Sequence, residues 1–109
     1  MWQKIMLILA LMISGPGSGA LAEEWPAEPK RVFIQECQTS CRNNSALTSE
    51  AQKAKCPDYC QCGVEVGEQN FSTAEFRQMD DDARANRDTP AMRRFAELMR
   101  ICNRRTWGR

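Results

Sequence analysis

An all-α fold, with a disulfide-stapled antiparallel helical hairpin plus two further short helices, is predicted by three features of this sequence. Six cysteines fall as C-x3-C, then C-x3-C-x-C, then one late Cys: Cys37, Cys41, Cys56, Cys60, Cys62 and Cys102. Apolar residues recur at helical spacing, and no stretch of any length alternates as a half-buried strand does. Helix-start signals precede the apolar stripes: Ser49 with Gln52, Ser72 with Glu75, and Thr89 before Pro90.

The compartment follows from the first residues. Lys4 precedes nine apolar residues, Ile5 to Ile13. A Gly/Ser/Pro break and Ala20-Leu21-Ala22 come next, the pattern of a secretory signal peptide over residues 1–22. Cleavage is expected between Ala22 and Glu23. Nine residues are too few for a membrane span, which takes about 20, and no Cys follows to carry a lipid. The signal's small size fits bacterial export, to the periplasm or the exterior. An oxidising compartment makes disulfides the expected state of the cysteines. A domain this small also needs staples, because it buries little surface on folding.

Each element has a local reason. Residues 23–29 (E-E-W-P-A-E-P) read as a flexible, Pro-rich lead-in. A single domain then covers residues 30–105, and 106–109 form a tail. The first helix is expected from Lys30, with Pro29 at its first position, to Arg42, placing Phe33, Cys37, Ser40 and Cys41 on one face. The second starts after Ser49, kinks or restarts at Cys56-Pro57 and weakens at Gly63 and Gly67. The third starts at Ser72, with Phe71 and Phe76 as staple and Phe76, Met79 and Ala83 as buried stripe. Asp80, Asp81 and Asp82 oppose its dipole, so it is expected to be short and to fray there. The fourth opens at Thr89-Pro90 and carries Met92, Phe95, Met99 and Cys102, flanked by Ala91, Leu98 and Ile101.

Helix geometry predicts the disulfides. Cysteines at i and i+4 share a helix face one turn apart. Two such helices packed antiparallel pair the first Cys with the fourth and the second with the third, giving Cys37–Cys60 and Cys41–Cys56. Cys62 lies two residues beyond Cys60, about 200° around the helix, and is free to reach Cys102. The stretch C37-x3-C41-x14-C56-x3-C60 resembles the twin C-x3-C pattern of plant α-hairpinins and of the small translocase chaperones of the mitochondrial intermembrane space. The resemblance covers residues 37–60 and implies two antiparallel helices joined by two disulfides. Cys62, Cys102 and the further helices depart from both families. The whole layout is also similar to small exported cysteine-rich bacterial proteins, a likeness that implies no activity.

Candidate chemistry is sparse. The chain has no His, which removes mixed His/Cys metal sites and the usual general base. No catalytic residue, cofactor, metal or nucleic-acid motif is expected. Cys60-Gln61-Cys62 is a C-x-C pair that offers a thiol-redox or metal-handling alternative. Asp58 and Glu65 beside it raise a thiol pKa rather than lower it. Without Lys4, fourteen basic residues balance fourteen acidic ones. Acidic residues gather between Glu65 and Asp82 and arginines from Arg84 onward, so the two runs are expected to attract each other within the fold. The function expected is a non-enzymatic exported binding or interaction protein. Its candidate partner surface is Arg93, Arg100 and Arg104 with Trp107 beside them, facing an unknown protein or an anionic surface. A membrane-active or antimicrobial hairpin is the alternative of another class, and the near-zero charge argues against it.

Overall fold

The computed structural model describes residues 23–109; the signal peptide expected at 1–22 lies outside them. Those residues form five helices and no strand: α1 (Ala27–Arg42), α2 (Glu50–Lys53), α3 (Cys56–Asn70), α4 (Thr73–Arg84) and α5 (Pro90–Trp107). The all-α, disulfide-stapled fold is thus present, and α2 is a single turn at the hairpin tip.

The central element is α3. On one side it meets α1 through Cys37–Cys60 and Cys41–Cys56, both with Cα atoms 5.9 Å apart. On the other it meets α5 through Cys62–Cys102, at 5.7 Å. The antiparallel register places each i, i+4 pair opposite its partners, and the offset of Cys62, about 200° around the helix, turns it to the opposite flank. All six cysteines are bonded.

The restart at Pro57 is real. Lacking an N–H, proline is tolerated only in a first helical turn, so the chain turns at Ala54 and Lys55 and α3 begins at Cys56. At the tip, Ser49 Oγ accepts from Gln52 N at 3.1 Å, and Gln52 Oε1 accepts from Ser49 N at 3.2 Å. Ser40, placed on the inner face by its spacing, is exposed; Phe33 and Cys37 are half-buried and Cys41 is buried.

The structure corrects four expectations. First, residues 23–29 are not a flexible lead-in. Pro26 caps α1, which includes Ala27, Glu28 and Pro29, so both prolines sit where backbone N–H groups lack intrahelical partners anyway. Trp25 is 2% exposed. Its ring stacks on Phe76 at 4.0 Å and meets Phe33 edge-on at 6.2 Å, while its Nε1 donates to Phe71 O at 3.1 Å. Glu23 reaches the start of α4, where its carboxylate accepts from Thr73 N at 2.7 Å; those hydrogen bonds from Thr73 lower its pKa.

Second, Gly63 and Gly67 do not end α3, which runs on to Asn70. They are close-packing positions. A Cβ at Gly67 would overlap the Trp25 indole, and one at Gly63 would press on Met99 at 3.0 Å.

Third, α4 does not fray at its aspartates. Asp80 and Glu36 both hold Arg84, at 3.1 and 3.2 Å. Asp82 is buried in place of Ala83, which is exposed. Its Oδ1 accepts from Gln78 Nε2 at 3.1 Å and Arg87 Nε at 3.0 Å, and its backbone O accepts from Arg87 N at 2.8 Å. The carboxylate that opposes the dipole is therefore neutralised by the turn into α5.

Fourth, Thr106 and Trp107 are not tail. The last turn of α5 includes them and ends at Gly108, whose φ of 78° suits glycine.

The capping box of α4 is formed: Ser72 Oγ accepts from Glu75 N at 3.2 Å, and Glu75 Oε1 accepts from Ser72 N at 2.8 Å. Ser72→Ala is expected to cost about 1 kcal/mol, read as a lower urea midpoint with an unchanged m-value. An unchanged midpoint would mean that the box does not support the fold.

Candidate functional site

The exposed side of α5 carries the sequence-predicted partner residues. Its buried side is fixed by Cys102, with Leu98, Phe95 and Met99 half-buried against α3 and the aromatic core. The helical period then turns Arg93, Arg100 and Arg104 outward, and all three are exposed. Arg93 pairs with Asp88 at 3.0 Å and Arg100 with Glu97 at 3.5 Å. Arg104 makes no ion pair among the described residues. Such exposed pairs contribute little to stability, so these guanidinium groups stay exchangeable with an outside anion. Beside them, Arg94 lies over the Phe71 ring at 4.8 Å and donates to Asn70 Oδ1 at 3.3 Å, and Arg105 reaches Glu65 at 3.4 Å. Within the fold the acidic and basic runs meet at Arg105–Glu65, Arg87–Asp82 and Arg84–Asp80.

Trp107 is placed differently from the other three. Its Nε1 donates to Gln52 O at 3.1 Å, and its ring centroid lies 5.1 Å from that of Tyr59. It fastens the end of α5 to the hairpin tip, so it is a packing residue rather than a free part of the arginine face. Its spacing of seven residues from Arg100 and three from Arg104 puts it on the arginine side of the helix, so the periodicity carries no signal for this docking.

Two concavities flank α5. One, of about 220 Å³, is an apolar groove over Phe33, Phe76, Met79, Met92 and Phe95, with Asp80 at its edge. The other, of about 290 Å³, lies at the hairpin tip and includes Tyr59, Asn103, Trp107 and Arg109.

Cys60 and Cys62 are not bonded to each other. They belong to different bridges and are 0% and 4% exposed. No group of three His, Cys, Asp or Glu is arranged to hold a metal among the described residues. No described helix is long and apolar enough to cross a membrane. Three disulfides are compatible with an oxidising compartment.

No family model, no curated protein and no solved structure matches this chain.

Proposed function

We propose that this chain is a small exported, disulfide-stabilised helical protein that works by binding a partner rather than by catalysis. Its contact face is the polar side of α5. The observation that carries this reading is the outward set Arg93, Arg100 and Arg104 on a helix whose opposite side is fixed to α3 by Cys62–Cys102. A rigid helix presenting exchangeable cations suits an acidic protein surface or an anionic envelope surface. The hairpin's likeness to α-hairpinins and to the intermembrane-space chaperones is proposed as one of architecture, with no activity carried over.

Replacing Arg93, Arg100 and Arg104 together with Gln is expected to leave far-UV circular dichroism unchanged. It should abolish the salt-sensitive part of binding to anionic vesicles or to an acidic protein. The native protein showing no such binding at low salt would overturn the reading. Vesicle leakage without stable binding would favour a membrane-active role instead.

Export to the periplasm or exterior is part of the same reading, with the mature chain starting at Glu23. The Glu23 nitrogen donates to Glu68 O at 3.1 Å, so an ammonium created there by cleavage after Ala22 can keep that hydrogen bond. Intact mass of the exported protein is expected to begin at Glu23; a mature pool retaining residues 1–22 would reject it.

A further inference from the structure

The cleft where α5 ends on the hairpin tip has the chemistry of a ligand site that the arginine face does not share. We propose that it binds a small organic anion, a carboxylate carried on a flat apolar body.

The apolar part of the site is a corner formed by two rings. Tyr59 and Trp107 stand 5.1 Å apart between centroids with their planes inclined by 41°. Cys41 and Leu47, both buried, also line it. The Trp107 Nε1–H is already committed to Gln52 O, so the indole offers its face and not its polar edge. The two rings pack on each other, so a flat apolar group would lie along their outer edge rather than between them.

The polar part is rich in unused donors. Asn44 spends its Oδ1 on Ala46 N at 2.9 Å, which leaves its amide N–H groups available. Neither the Asn103 amide nor the Tyr59 hydroxyl makes a hydrogen bond among the described residues. Burial pushes the Tyr59 pKa up, so its hydroxyl stays protonated at physiological pH. Among the described residues, Arg109 is the only one with a charged side chain lining the cleft, and no Asp or Glu stands beside it there. The Arg109 guanidinium and these donors, beside an aromatic pair, suit a negative oxygen group. The volume of about 290 Å³ lies at the small end of ligand sites. Arg93, Arg100 and Arg104 line no part of it, so this site stands or falls independently of the arginine face.

The anion has two sources, a free aromatic acid or the C-terminus of a peptide ending in an aromatic residue. The test uses the oxidised exported protein, with 3-phenylpropionate, its neutral amide, and an N-acetylated dipeptide ending in phenylalanine as probes. NMR titration follows the Trp107 indole and the Asn103 side-chain amide, with the Trp25 indole as the reporter of an intact fold. Saturable shifts at Trp107 and Asn103 are expected, with a Kd in the millimolar range for ligands this small. The amide should bind about tenfold more weakly than the acid, and Arg109→Gln and Asn103→Ala should each weaken the acid about fivefold. Tighter binding of the dipeptide assigns the site to peptide termini, and tighter binding of phenylpropionate assigns it to free acids. Four results would overturn the proposal: no saturable shift with the acid up to about 100 mM, equal affinity for acid and amide, variants that bind like the parent while Trp25 is undisturbed, or shifts confined to other surfaces.

Discussion

Trp25→Ala is expected to destabilise the protein by about 3–5 kcal/mol, the usual cost of emptying a large buried aromatic site. That is a large share of the total stability of a small domain, about 5–15 kcal/mol. The residue is 2% exposed and bridges three elements: Phe33 on α1, Phe76 on α4, and the Phe71 carbonyl at the end of α3. Its removal leaves a void at the junction and one buried carbonyl without its donor. Gly67→Ala checks the same contact from the other side. Alanine favours a helix over glycine by about 1 kcal/mol, yet a Cβ there overlaps the indole. Gly67→Ala should therefore lower the urea midpoint despite its better propensity. A stabilised Gly67→Ala together with a Trp25→Ala loss below about 1 kcal/mol would mean that the N-terminal segment does not dock.

These two residues also show where the chain is hard to read. Caps are written locally, so Ser49 with Gln52, Ser72 with Glu75, and Thr89 before Pro90 are legible within four residues of sequence. The disulfide pattern is legible because i, i+4 spacing and antiparallel order leave one consistent pairing. Trp25 has neither kind of signal. It stands in a Pro-rich stretch without periodicity, and its partners come from positions 33, 71 and 76. Gly63 and Gly67 mislead for a related reason. Helix propensity counts their cost in isolation, whereas their value lies in letting the Trp25 ring and the Met99 side chain approach the backbone.

The aspartates of α4 make the same point for charge. Three in a row near a helix end read as repulsion. The cations that offset them are Arg84, one helical turn from Asp80 on α4 itself, and Arg87, which the turn into α5 brings to Asp82. The candidate site was legible in part. Arg93, Arg100 and Arg104 lie on the exposed side of α5, as a period of about 3.6 residues requires. The tip cleft was not, because Tyr59, Asn103 and Trp107 meet only once α5 has docked on the hairpin.

That docking rests on the third disulfide, and replacing both Cys62 and Cys102 with Ala is expected to cost about 4 kcal/mol in the chain-entropy account. Cys62–Cys102 closes a separation of 40 residues, against 15 for Cys41–Cys56. The same account gives about 3 kcal/mol for the shorter loop. Both pairs are buried, Cys62 and Cys102 between α3 and α5 and Cys41 and Cys56 at the tip, so each replacement also removes packing and the expected order rests on loop length. The double variant should keep its hairpin, since Cys37–Cys60 and Cys41–Cys56 still join α1 to α3. What it should lose first is the end of α5, seen as faster amide exchange from Met99 to Trp107 and as loss of the Trp107 contact with Tyr59. The Cys41/Cys56 pair replaced by Ala should show the converse, opening the tip around α2 with α5 still protected. If the Cys41/Cys56 variant were the less stable of the two, loop closure would not set the order, and the packing of Leu47 and Tyr59 against Cys41 and Cys56 at the tip would outweigh it.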